Sequence, residues 1–365
     1  MSPLVPVRED LTVLEGYHSA QVPAKVRLNT NESPFPPPET WREQLADAVA
    51  ATSFNRYPDR EASRLRAGVA ALHDVRAEEV FCANGSNEVL QCLLLAYGGP
   101  GRSAATFEPT YALHSHIARV TGTTVVSGGR CADFTIDGAE AIELVERAQP
   151  VLTFVCSPNN PTGRAESLEL IAKLLAATEG LVVVDEAYGQ FAPHSALELR
   201  EQTEGLGRLV VVRTFSKTWS MAAARLGYLV ADPEVVAACM QVALPYHLSA
   251  VTQEAGRLAL TFVDEMEARV AIVAEERGRL FGALAELAVE VWPSDANFLL
   301  FRPTSHDARK VWESLVERSV LIRDCSSWPG LEGCLRVTVG SPSENALFLG
   351  ALRDVLGATE RGETP

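Results

Sequence analysis

The chain has 365 residues, 47% hydrophobic and 22% charged, with a formal net charge of −15. That length supports one large domain plus a smaller one, and the acidic balance excludes a nucleic-acid scaffold, whose phosphate partners need a basic stripe. No run approaches the roughly 20 apolar residues of a membrane helix, no basic start and apolar block mark a signal peptide, and seven scattered cysteines without a CxxC pair read as reduced core thiols with no metal site, so the expectation is a cytoplasmic protein.

Residues 1–40 are rich in Pro and turn formers; "NTNESPFPPPE" cannot make a regular helix. Residues 1–30 are therefore read as an extended N-terminal arm. From about residue 60, β-branched runs alternate with helical patterns. "EVFCA" precedes the helix-like "SNEVLQCLLLAY", "SAATF" precedes "TYALHSHIARV", and "PVLTFVCS" precedes "LELIAKLLAA". "GLVVVDEAY" and "RLVVVRTFS" follow. This alternation predicts βαβ units and a mostly parallel sheet in a large domain over 31–247. Beyond Leu244-Pro245 the texture changes. One long charged helix is predicted from Val251 to Leu287, followed by short strands "VEVW", "NFLLF", "VLIR" and "CLRVTV". That predicts a smaller α+β domain over 248–357, with a frayed tail at 358–365.

Chemically useful side chains collect just after the predicted strands, where an open α/β sheet places its site. Asn160 lies in "CSPNNPTG", Asp185 and Tyr188 in "VVVDEAY", and Lys217 in "TFSK". An amide, a carboxylate, a phenol and a lysine suit an aromatic cofactor whose aldehyde condenses with an amine. Taken singly, each residue has an ordinary reading. Lys217 could be a solvated charge, Asp185 a cap, Asn160 a turn residue like Asn159, and Tyr111 of "EPTY" a core aromatic. "NGSNE", with Gly85, Ser86 and Asn87, is either a plain helix start or an anion site at a helix N-terminus. "GGPGRS" (98–103) lacks the following Lys-Ser/Thr of a phosphate loop. "HSH" (114–116) lacks zinc spacing on a helix.

Taken together, "LNTNESPF", "NRYP", "GSNE", "EPTY", "SPNNPTG", "DEAY", "TFSKTWSMAAARLGY", "ANFLLF" and "LRVTVG" resemble the pyridoxal 5′-phosphate-dependent aminotransferases of fold type I. Within them, the set is most similar to the histidinol-phosphate aminotransferases. The resemblance spans about residues 17–340. It implies a large domain with a mostly parallel seven-stranded sheet flanked by helices, a smaller α+β C-terminal domain and an N-terminal arm. It implies Lys217 as the lysine that joins the cofactor and then moves the proton, Asp185 as partner of the pyridinium nitrogen, and Tyr188 and Asn160 at the ring's 3-oxygen. Tyr111 is implied to stack on the ring. Gly85, Ser86, Asn87, Thr214, Ser216 and Arg225 are implied at the cofactor phosphate, and Arg336 at the substrate α-carboxylate.

In the same resemblance Tyr17, Tyr57 and Arg323 gather at the distal end of the substrate or at the cofactor phosphate. Tyr57 comes from a neighbouring subunit, which implies a homodimer. Gly16 stands where the family commonly has proline, which loosens the arm. The implied reaction transfers an amino group from histidinol phosphate to 2-oxoglutarate. An aromatic amino acid such as phenylalanine as donor, or decarboxylation of threonine phosphate, fits the same motifs.

Overall fold

The computed structural model describes residues 5–12, 21–201 and 206–357. The expectations for Tyr17 and for the tail at 358–365 lie outside the described residues. The elements run β1 (Val26–Leu28), α1 (Glu39–Ala50), α2 (Ser63–Leu72), β2 (Val80–Ala83), α3 (Ser86–Tyr97), β3 (Ser103–Glu108), α4 (Leu113–Val120), β4 (Thr124–Gly129), α5 (Gly138–Ala148) and β5 (Leu152–Cys156). They continue with α6 (Leu168–Ala177), β6 (Leu181–Asp185), β7 (Leu209–Thr214), β8 (Gly227–Val230), α7 (Pro233–Val242), α8 (Ala250–Ala259) and α9 (Val263–Ala285). The last are β9 (Val289–Val291), β10 (Phe298–Pro303), α10 (Ala308–Glu317), β11 (Val320–Asp324), β12 (Leu335–Thr338) and α11 (Pro342–Gly357).

Seven strands form one sheet in the order β2-β8-β7-β6-β5-β3-β4, in which β8 runs antiparallel to both neighbours and the remaining pairs are parallel. The predicted mostly parallel sheet is therefore present. Strands β5, β6 and β7 are buried along their whole length, which is why they read as unbroken apolar runs. Their side chains alternate between two cores. Val183, Val210 and Val212 pack with α3 and α7 on one face; Val182, Val184 and Val211 pack with α5 and α6 on the other.

A second sheet has the order β1-β11-β12-β10-β9. Strand β1 lies within the segment read as an extended arm. It pairs parallel with β11, Val26 opposite Val320 and Leu28 opposite Ile322. The predicted single helix from Val251 to Leu287 is two helices, α8 and α9. Thr261 hydroxyl and backbone N–H both bond Leu258 carbonyl, a local alternative to the helical ladder that ends α8. Six cysteines are buried thiols as expected; Cys131 is exposed. Among the described residues no helix is long and apolar enough to cross a membrane.

Candidate active site

Strands β2, β3, β5, β6 and β7 all end at one edge of the large sheet, and a cleft of about 380 Å³ opens there. Its lining includes Ser86, Asn87, Tyr111, Asn160, Asp185, Tyr188, Thr214, Ser216, Lys217, Arg225 and Arg336. These eleven residues, picked from sequence, come from seven different segments. Asn159, one residue before Asn160, is buried and serves the turn, bonding Pro109 carbonyl, Thr162 hydroxyl and Thr110 hydroxyl.

Lys217 follows β7 and is half-buried, its Nζ donating to Thr30 carbonyl at 3.0 Å. Burial, and then the guanidinium of Arg336, pull its pKa down to about 8; Arg225 adds to the fall and Glu32 opposes it. An amine in that position is largely neutral in mildly alkaline solution and can act as nucleophile or base. Asp185, at the end of β6, is buried; its Oδ1 accepts from the N–H of Ala187. Its Oδ2 lies 2.9 Å from Nε2 of His114. A carboxylate can only accept, so the proton of that contact sits on His114 Nε2.

His114 is the site residue that the sequence reading passed over. It is fully buried, stacked on Phe154 with centroids 5.0 Å apart and edge-on to Tyr111 at 5.5 Å. The signal was its spacing, three residues after Tyr111, which places both rings on one side of a helical turn. Among the described residues no group of three or more His, Cys, Asp or Glu side chains is placed to hold a metal ion.

Tyr188 is buried, its hydroxyl accepting from Asn31 Nδ2 at 2.9 Å, and burial pushes its phenol up. Asn160 Oδ1 accepts from Arg336 Nη1 at 2.5 Å. Arg336 is buried on β12, its Nη2 donating to Asn29 carbonyl at 2.8 Å, its Nε without a hydrogen-bond partner among the described residues. Tyr111 donates to Asn87 Oδ1 at 3.1 Å.

The far end of the cleft is a cradle. Gly85 has φ +79°, and a Cβ on it would meet Arg225 Nη2 at 2.6 Å. A Cβ on Gly227 would meet Ser86 N at 2.3 Å. Two glycines thus allow the start of α3, the start of β8 and the Arg225 guanidinium to converge. Ser216 hydroxyl lies 3.5 Å from Arg225 Nη1 and 3.0 Å from Thr214 Oγ1. Free helix N–H groups, a hydroxyl and a guanidinium fork are the donor set for a phosphate dianion.

Two residues expected at the site lie outside the cleft of this chain. Tyr57 is 80% exposed and stacks on Tyr246 with centroids 4.5 Å apart. Arg323 is half-buried on β11, directly across the ladder from Arg336 and 5.7 Å from the centroid of Trp328.

The sequence model described as aminotransferase class I and II matches residues 23–352. A histidinol-phosphate aminotransferase of Frankia casuarinae is 46% identical over 360 residues, which cover 95% of this chain and 89% of that protein. One of Thermobifida fusca is 44% identical over 357 residues, covering 97% and 96%. Among solved structures, the histidinol-phosphate aminotransferase of Sinorhizobium meliloti in complex with pyridoxal-5′-phosphate has a TM-score of 0.88 at 22% identity, covering 98% of this chain and 99% of that one. The L-threonine-O-3-phosphate decarboxylase of Porphyromonas gingivalis has 0.80 at 24% identity, covering 91% and 99%; at such identities the likeness is one of fold. The two-sheet architecture, the strand-end cleft and the near full-length identity converge on one assignment: this chain belongs to the class I and II aminotransferases, enzymes of amino-acid and keto-acid substrates.

Proposed function

We propose that this enzyme transfers the amino group of histidinol phosphate to 2-oxoglutarate, with pyridoxal 5′-phosphate held in the strand-end cleft. The observation that carries the reading is the pairing, in one cleft, of a half-buried amine at Lys217 with a donor-lined cradle about Gly85 and Arg225. The names of relatives 42–46% identical supply the substrate. Bound there, the cofactor supplies an aldehyde and a ring that accepts electrons.

The chain's own residues divide the remaining tasks. Arg225, Ser216, Thr214 and the amides at Gly85, Ser86 and Asn87 hold the phosphate. Asp185, oriented by His114, holds the ring nitrogen and keeps it protonated. Tyr188 and Asn160 take the 3-oxygen, and Tyr111 covers the ring. Lys217 removes the proton from the amine-bearing carbon of the donor and returns one on the far side of the transfer. Arg336 grips the anion next to that carbon, a carboxylate in glutamate and a phosphate ester in histidinol phosphate. Arg323, opposite it in the ladder, adds charge for the dianion. The exposure of Tyr57, whose ring stacks on Tyr246, supports a homodimer in which Tyr57 reaches the other subunit's cleft.

The test is a comparison of donors. Purified holoenzyme incubated with 2-oxoglutarate is expected to form glutamate from histidinol phosphate far faster than from phenylalanine, and to release no carbon dioxide from threonine phosphate. Glutamate formed from phenylalanine alone, or carbon dioxide from threonine phosphate, overturns the reading.

A second measurement addresses the amine. In cofactor-free protein, Lys217 is expected to take up label by reductive methylation with a midpoint near pH 8, because its folded-state pKa is lowered to about 8 from the ordinary 10.5. Labelling therefore rises as pH climbs through 8. A midpoint near the ordinary value, read by mass spectrometry of the Lys217 peptide, rules this environment out.

A further inference from the structure

Three cationic groups line the cleft, Lys217, Arg225 and Arg336, and among them stands an exposed carboxylate, Glu32. The wall segment leading to it is fully engaged. Asn29 carbonyl accepts from Arg336, Thr30 carbonyl accepts from Lys217, and Asn31 bonds both Thr338 and Tyr188. Glu32 comes next, and among the described residues its carboxylate has no hydrogen bond and no ion pair. The other lining carboxylate, Asp185, is buried and taken up by His114 and the N–H of Ala187. Glu32 lies near enough to Lys217 to oppose the fall in that amine's pKa.

An acceptor left over in a cleft of cations calls for a donor that the ligand brings. Histidinol phosphate offers three recognisable parts. Its amine goes to the reaction centre and its phosphate to the arginines, which leaves the imidazole N–H without a protein partner. We infer that Glu32 is the specificity residue for the donor's ring, accepting a hydrogen bond from the imidazole N–H. The inference rests on the substrate reading above. A charge-assisted bond of this kind discriminates strongly, because a ligand lacking the N–H leaves the carboxylate unpaired.

Phenylalaninol phosphate is the matched probe: it keeps the amine and the phosphate ester and replaces imidazole by phenyl. In the holoenzyme, Glu32→Gln is expected to lower kcat/KM for histidinol phosphate by about tenfold or more, while leaving phenylalaninol phosphate within about twofold. The KM for 2-oxoglutarate is expected to hold or fall, since the substitution removes a charge that repels its second carboxylate. Equal losses on both amino alcohol phosphates, with a shifted pH profile, assign Glu32 to the tuning of Lys217 and overturn the inference alone. A KM for 2-oxoglutarate raised in step with the loss marks general damage and overturns it too. No turnover of histidinol phosphate by the unsubstituted enzyme overturns the substrate reading, and the inference with it.

Discussion

Replacement of Lys217 by alanine is expected to lower kcat by on the order of 10⁴-fold or more, the scale set by loss of a covalent and proton-transferring group. Among the described residues that line the cleft, no other carries an amine, and the one unpaired carboxylate, Glu32, cannot form the covalent link. The Tyr188 phenol and the Cys156 thiol, which also line it, are both pushed up by burial and stay protonated. Asp185 is engaged with His114, and Arg225 and Arg336 cannot deprotonate. The fold should survive, because Lys217 contributes one hydrogen bond, to Thr30 carbonyl. Lys217→Arg should be as inactive as the alanine variant, since charge alone does not replace a neutral amine. Added methylamine should restore part of the rate to Lys217→Ala and none to Lys217→Arg, whose guanidinium fills the space. An alanine variant within tenfold of the parent rate would remove Lys217 from the chemistry.

The largest expected loss of stability lies one layer below the cleft. Arg213, on β7, and Glu186, just after β6, form a buried ion pair, Nε and Nη2 lying 3.0 and 2.7 Å from Glu186 Oε2. Glu186 is satisfied further by Ser195 hydroxyl and the N–H of Ala196. Arg213 also bonds the Tyr228 hydroxyl, which lies 2.7 Å from His73 Nε2. Burial, aided by Arg213, lowers the His73 pKa to about 3, so its ring is neutral. Arg213→Met strands a buried carboxylate, and such losses run at about 3–5 kcal/mol. Glu186→Leu added to it removes the stranded charge and is expected to recover much of the loss. Thermal unfolding of the single and double variants checks this. A double variant no more stable than Arg213→Met would show that the carboxylate is not the source of the damage.

That ion pair also shows what sequence reading could and could not reach. The strand ends were legible because β5, β6 and β7 are buried on both faces, so each is an apolar run that stops where a polar residue begins. Asp185 and Lys217 were found at such stops. Arg213 sits inside one of those runs and gave no sign that its partner was Glu186, since pairing across β6 and β7 depends on register. His114 was missed for the same reason: its meaning is its distance to Asp185, 71 positions away in the chain. Strand β1 escaped because three residues carry no period, and only its partner β11 makes it a strand. The break between α8 and α9 turned on one hydroxyl, Thr261. Tyr57 and Arg323 rest on motifs alone; in this chain one is exposed and the other lies across the ladder from Arg336.

The parallel pairing of Val26 with Val320 bears on when the enzyme becomes competent. A growing chain has emerged through β7 and Lys217 long before β11 and β12 exist. Until those strands arrive, β1 has no neighbour, and residues 29–31 have neither Arg336 nor Thr338 to hold them. The wall that receives the Lys217 amine through Thr30 is thus assembled last, by strands from opposite ends of translation. Losing β11 and β12 would therefore remove the partner of β1 and the contacts of Asn29 and Asn31 with Arg336 and Thr338, on either side of the Thr30 carbonyl that receives the Lys217 amine.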